Sequence, residues 1–400
     1  MSKNEVLFRT LHTDLIPYYR SWAHDCPMIV SYKRDQELHR VQQLLYRCCE
    51  YYVHHYEEYL SVIPYEEKVL EILERAKANP YMAGTFRPDY VICEDGTLHV
   101  CEITSRFFGN GYFLSYFMEH AGAVFAKENH ITDYKSYFND FLDYAAEYLG
   151  NKKKLIVLKS ADKSDSIKLY APYYEALGAK VTILEANQVE KSRKKWDNAL
   201  VVSALNQKDL LSFSMDTIQK MIDVQCKNDF RTIFLLHDKR VFHLFYMDEF
   251  IDKVLNQEDK QFLQEHMIPT YIRGKNLDIW EDAKNNKDGY ILKHCRLGKS
   301  EKVFAGSLCS EEEWKKIFAS DDMEEMILQP FLQQKLYPTI WHDEPLNDYV
   351  SGTILCVDDK YFGTGLFRTS TSPVINQVDA HKVAPVITNQ VDSFKEKHIL

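Results

Sequence analysis

The 400 residues carry a formal net charge of −10, with 45% apolar and 13% aromatic side chains, enough for two or three domains with ample cores. That charge argues against a nucleic-acid backbone or an anionic membrane surface as main partner, and no apolar run approaches the roughly 18 residues of a membrane-spanning helix. Nine cysteines, without a CxxC pair, and a start that lacks a continuous apolar signal segment point to free thiols in a reducing cytoplasm.

Residues 1–84 read as a helical region. YEEKVLEILERAKANP places Val69, Leu70, Leu73 and Ala76 on one side at helical spacing and stops at Pro80. CCEYYVHHYEEYL reads as a second amphipathic helix. Its neighbours His54 and His55 point about 100° apart, so they are structural or surface histidines rather than a ligand pair.

Residues 85–150 form a hairpin followed by helices. In RPDYVICEDGTLHVCEITSR, two alternating runs flank Asp95-Gly96, a pair that favours a type I′ turn because both central residues need positive φ. With those two at the tip, Asp89 lies opposite Glu102 and Arg87 opposite Thr104. Val91 then faces Val100 and Cys93 faces Leu98, all on one side, while Cys101 points to the other. Directly opposed carboxylates cost roughly 0.2–1 kcal/mol in an exposed sheet, so a cation is required. Arg87 supplies one. A divalent metal supplies more, since Mg²⁺ takes one or two carboxylates and completes its shell with water and phosphate oxygens. The rival reading is an ion-pair cluster on a solvated face.

Residues 151–225 alternate strand and helix: KKKLIVLKS, then SIKLYAPYYEALG closed by Gly178, then AKVTILE and NALVVSAL. This predicts a small parallel sheet covered by helices. Lys159-Ser160-Ala161-Asp162 lacks a glycine-rich phosphate fingerprint, so no dinucleotide site is expected there.

Residues 226–400 begin largely helical, interrupted by FRTIFLLHDKRVFHLF, and then turn to strands in DGYILKHC, MILQPFLQQ, YVSGTILCVDD and KYFGTGLFRTS. Lys293 ends an apolar strand and enters Cys295-Arg296-Leu297-Gly298-Lys299-Ser300, a lysine beside a flexible loop that suits a phosphate clamp. Gln329 carries an amide into an apolar run, where it needs a partner, and Pro330 marks an edge or hinge. Arg368 follows Gly363 and Gly365 and is placed to emerge at a cleft. Lys239 is a further candidate cation, with a solvated loop charge as the rival reading.

Taken in order, these motifs resemble the circularly permuted ATP-grasp ligases, in particular the synthetase domain of glutathionylspermidine synthases. Arg87-Pro88-Asp89, Gly96 and Glu102-Ile103-Thr104 match that family's Arg-x-Asp, turn glycine and Glu-x-Asn. YILKHCRLGKS, ILQPFLQQ and GTILCVDDKYFGTGLFRTSTSPVIN follow as its nucleotide-binding part, the inverted order that marks the permuted branch. The likeness runs over residues 85–380.

The resemblance implies an α+β fold with an α/β subdomain and ATP held between two β-rich subdomains. It implies ATP-dependent joining of a small-molecule or peptide carboxylate to an amine through an acyl phosphate, with release of ADP and phosphate. On the same resemblance, Asp89, Glu102 and Thr104 hold Mg²⁺, and Arg87 and Arg368 stabilise the transferred phosphoryl group. Lys239, Lys293, Gly298 and Ser300 hold the other phosphates, Gln329 lies near the adenine, and Ser105 and Arg106 bind the substrate carboxylate. Two departures stand out: Thr104 replaces the family's Asn, and His294 replaces the proline after the clamp lysine. They keep open an alternative, a catalytically inactive ATP-binding regulatory or complex subunit of the same fold.

Overall fold

Residues 22–24, 26–161, 166–298, 300–375, 380–391 and 394 are described by the computed structural model. Ser31 caps the first long helix, Tyr32–His55, its hydroxyl accepting from the Arg34 N–H at 3.2 Å. Leu38, Val41, Leu45, Cys48, Cys49 and Tyr52 fill its buried face, the stripe expected of an amphipathic helix. At its end His55 stacks on Tyr51, a structural role. The helix Glu67–Ala76 buries Val69, Ile72, Leu73 and Ala76. Among the described residues no helix is long and apolar enough to cross a membrane.

Three main sheets follow from the mixed pattern of strands and helices. A seven-stranded sheet is built on the 14-residue strand Glu344–Val357. The hairpin Thr85–Ile92 and Leu98–Thr104 pairs along one edge of it, and Phe367–Ser370 and His381–Val383 continue from the other. Leu336–Trp341 and Lys360–Thr364 also pair with the central strand. A four-stranded antiparallel sheet runs in the order Tyr271–Ile272, Met326–Pro330, Tyr290–His294, Val303–Ala305. The third sheet is parallel, with Lys154–Lys159 between Lys180–Glu185 and Leu200–Ala204 and the helix Ser166–Ala176 in the crossover, as its periodicity predicted.

Two expectations about local structure need correction. FRTIFLLHDKRVFHLF does not interrupt the helical region: it forms a π-helical turn, Thr232–Leu236, and the short helix Val241–Leu244, both almost wholly buried. Leu336–Trp341 gave no strand signal because it carries Pro338; it pairs with a single neighbour, which is where a strand proline is tolerated.

Strand alternation divides the central sheet between two cores. Ile354 and Cys356 pack with the N-terminal helices and with Phe86, Tyr90 and Ile92 of the hairpin. Leu355 and Val357 pack with Tyr112, Phe141 and Tyr170 on the helices Tyr112–Glu128, Phe138–Leu149 and Ser166–Ala176. The even-numbered side chains of the first hairpin strand are thereby committed to the core, and Arg87, Asp89 and Val91 face the other way.

Tyr112 locks this arrangement. Its hydroxyl accepts from the Cys356 N–H at 3.0 Å and donates toward the Phe86 carbonyl at 2.9 Å, joining a helix start to two strands. Tyr112→Phe leaves buried backbone groups without that partner, and the expected loss is about 1–3 kcal/mol of unfolding free energy, measured by urea denaturation.

Candidate functional site

The hairpin tip is a three-residue loop. Cys93 N–H donates to Thr97 O and Gly96 N–H to Cys93 O, both at 2.9 Å. Gly96 has φ +84° whereas Asp95 does not enter the positive region; the Asp95 carboxylate instead accepts from the Thr97 N–H at 2.8 Å. This replaces the expected type I′ turn by a type I turn closed by a left-handed glycine. Near the tip the register therefore differs by one residue: Val91 pairs with His99 and Ile92 with Leu98.

A bulge at Cys101 restores the count. Below it Asp89 stands opposite Glu102 and Arg87 opposite Thr104, the expected pairing. The bulge also brings Cys101 to the same cavity as Glu102, although strict alternation sends it to the far face. Burial pushes its thiol up to about 11, so it is held as the unreactive thiol.

These side chains line a cavity of about 560 Å³ between the seven-stranded and four-stranded sheets. Asp89 is buried at 2% exposure. Its Oδ1 accepts from Arg87 Nε at 2.8 Å, and its Oδ2 from Arg87 Nη2 at 3.1 Å and Arg368 Nη2 at 2.8 Å. Glu102 Oε2 lies 3.4 Å from Lys239 Nζ. Burial alone would raise the Glu102 pKa, but the positive charges of Lys239, Lys293 and Arg368 prevail and hold it at about 2. The opposed carboxylates are thus compensated by four basic side chains of the chain itself. Asp89, Lys239 and Lys293 are buried and Arg87, Glu102 and Arg368 half-buried, so the cluster is not an open solvated face.

Gly111 makes room for this arrangement. It has φ +86°, and a Cβ there would stand 2.7 Å from Arg87 Nη1, which donates to the Asn110 carbonyl at 3.0 Å. Asn110, Gly111 and Ser115 line the cavity at the start of the helix Tyr112–Glu128, so the positive end of its dipole is turned toward it.

The other predicted residues divide. Thr104, Arg106, Gly298 and Ser300 line the cavity. Lys293 does too; it sits within its strand rather than at the end, and its ammonium makes no hydrogen bond or ion pair among the described residues. Lys239 is 3% exposed and donates to the Leu297 carbonyl at 2.6 Å. It is no solvated loop charge, and it braces Glu102 and the glycine loop from behind the cavity wall. Two expectations are corrected. Ser105 is fully buried, donates to the Thr232 carbonyl at 3.1 Å and does not reach the cavity. Gln329 is also fully buried, donating to Thr270 Oγ1 at 2.8 Å; the cavity is lined instead by the residues after it, Pro330, Phe331 and Leu332.

Sequence reading missed His237 and Lys382, both of which line the cavity. His237 Nδ1 lies 3.2 Å from the Ile103 carbonyl and so donates to it, which leaves Nε2 a buried acceptor without a partner among the described residues. Burial, then the charges of Arg106 and Lys239, depress its pKa to about 3, so the ring is neutral. Burial and Arg368 lower the Lys382 ammonium to about 8. Neither residue belongs to a motif; only contacts distant in sequence reveal them.

Two outcomes test this geometry. Gly111→Ala forces an L side chain into a left-handed backbone, at a cost of about 1–2 kcal/mol, and displaces Arg87; weakened anion binding in calorimetry with unchanged far-ultraviolet dichroism is expected. Glu102, with its folded pKa depressed, contributes stability above the ordinary carboxylate range that is lost as pH falls toward about 2. Urea midpoints should therefore decline less steeply below pH 4.5 in Glu102→Gln than in the native protein.

Residues 41–235 match the AnkG N-terminal domain family, a different family from the permuted ligases. That match includes the hairpin but ends before His237, Lys293 and Arg368. No curated protein sequence matches the chain. Among solved structures, one match is a "Putative gamma-glutamylcysteine synthetase" from Methylobacillus flagellatus KT, 12% identical over 83% of this chain and 86% of that one, with a TM-score of 0.36.

Proposed function

We propose that the cavity binds Mg·ATP and joins a carboxylate to an amine. The observation that carries this reading is the composition of its wall. Lys293, Arg87, Arg368 and Arg106 line it together with Glu102 and Asp89, and so do the apolar Val91, Ile268, Ile291, Val303 and Leu332. A nucleotide makes the same two demands, charge for its polyphosphate and apolar surface for its base.

The donors fit magnesium. Glu102 makes a single contact among the described residues, the 3.4 Å approach of Lys239, so its oxygens retain acceptor capacity, and the Thr104 hydroxyl is on the same wall. Such an all-oxygen set suits a hard cation. Bound magnesium would neutralise phosphate charge and orient the nucleotide. Asp89, with three arginine contacts, serves mainly to fix Arg87 and Arg368.

The chain's own groups would do the rest by position and charge. Lys293 and the loop around Gly298 and Ser300 hold phosphate oxygens, and Arg106 receives the substrate carboxylate. That carboxylate attacks the γ-phosphorus, the bond to the ADP oxygen breaks, and Arg87 and Arg368 stabilise the charge as it moves. The amine then adds to the acyl phosphate, phosphate leaves and the amine gives up a proton. His237, whose pKa burial lowers, offers Nε2 as a hydrogen-bond acceptor.

A second reading, nucleotide binding without turnover, is favoured by one observation: both oxygens of Asp89 are already engaged by arginines. An ADP-release assay with Mg²⁺ over amino acids, short peptides, glutathione and polyamines, followed by mass spectrometry of any product, separates the two. Under the ligase reading Glu102→Gln loses at least about 100-fold in turnover with its fold intact; full activity in that variant would remove the metal assignment. ATP binding with no ADP release supports the second reading, and no ATP binding at all overturns both.

A further inference from the structure

On the face of the seven-stranded sheet opposite the cavity, three potential metal ligands converge. Asp348 lies on the strand Glu344–Val357, His381 on His381–Val383, and His24 on the segment that runs beside them. Alternation separates the two faces: Arg368 and Lys382, paired in register, look into the cavity, while their neighbours Thr369 and His381 look the other way. His24 is fixed there by its backbone N–H, which donates to the Lys382 carbonyl at 2.8 Å.

The hydrogen bonding of this cluster is unusual for groups so deeply placed. Asp348 is 0% exposed. Among the described residues its Oδ1 has no hydrogen-bond partner, and its Oδ2 has only long contacts, Thr339 Oγ1 at 3.5 Å and His24 Nε2 at 3.7 Å. A carboxylate is among the costliest groups to bury without a compensating charge. His381 Nδ1 is likewise buried without a partner among the described residues, its ring stacked on Trp341 at 4.2 Å. His24 Nδ1 is 2.9 Å from the Ile340 carbonyl and so donates to it, which leaves Nε2 to accept from Thr369 Oγ1 at 2.8 Å with Asp348 Oδ2 beyond it at 3.7 Å. That backbone bond is the outer-shell contact that fixes the tautomer of metal-bound histidines.

We propose that His24, Asp348 and His381 bind a zinc ion that fastens residues 22–24 to the sheet. One ligand atom from each lies within 4.8 Å of the others. Zinc bonds of about 2.0–2.2 Å draw such atoms onto one ion after side-chain shifts of roughly half an ångström. Two imidazoles with one carboxylate select zinc or a similar transition ion over magnesium or calcium, which prefer oxygen alone. None of the three residues lines the main cavity, so the ion's part is structural. It would hold His24 against the strand whose other face presents Lys382.

The test uses the full-length protein stripped of metal with chelator and titrated with cobalt(II), a visible reporter for zinc sites, and then with zinc. One equivalent of cobalt per chain with four-coordinate absorption is expected, displaced by zinc. His381→Ala and Asp348→Asn should each weaken binding at least tenfold. His381 is only half-buried, so its variant tolerates the change; His381→Gln, closer in volume, is the companion should alanine fail to fold. Glu102→Gln should bind cobalt as the native chain does, which separates this site from the nucleotide site. Zinc should also raise the unfolding temperature of the native protein but not of His381→Ala. Failure of the native chain to bind stoichiometrically, or equal binding by the His381 variants, overturns the proposal and leaves His24 and Asp348 as a buried ion pair.

Discussion

Two carboxylates facing each other across a hairpin, with basic side chains closing around them, set the conditions for the rest of this structure. Asp89 and Glu102 are tolerable in a low-dielectric wall only because Arg87, Arg368, Lys239 and Lys293 surround them. Each cation is delivered by a different element: the hairpin itself, a far strand of the same sheet, the buried turn after Leu236, and the second sheet. The cavity is thus defined only when those elements are docked together. In a protein with a net charge of −10, positive charge is concentrated where an anion could be received.

The pairing at the centre of the site was legible in the sequence, though partly through compensating departures. A two-residue tip with an uninterrupted ladder predicts Asp89 opposite Glu102. The real tip has three residues, which shifts the ladder by one, and the Cys101 bulge shifts it back. Alternating apolar residues identified both strands; nothing local announced the bulge. The small parallel sheet was equally legible, because its strands are continuous apolar runs bounded by helix and turn signals.

What escaped the sequence was tertiary. Lys239 reads as a loop charge in LLHDKRVF until its ammonium is seen against Glu102 and the Leu297 carbonyl. Ser105 and Gln329 sit at the right positions along the chain, but their side chains are satisfied or enclosed elsewhere. His237, Lys382 and the cluster of His24, Asp348 and His381 belong to no motif. Their meaning comes from which face of a strand or turn they occupy once distant segments are paired.

That distance has a consequence for how the molecule is made. The arginine that completes the Asp89 pair lies 279 residues further along the chain. At synthesis rates of about 5–20 residues per second, the hairpin leaves the ribosome roughly 15 to 55 seconds before that partner exists. Throughout that interval its outer edge is unpaired backbone and its acidic residues lack most of their counter-charge. Until the strand Glu344–Val357 is made the hairpin keeps an unpaired edge, and the cavity takes shape only when that strand and those after it dock.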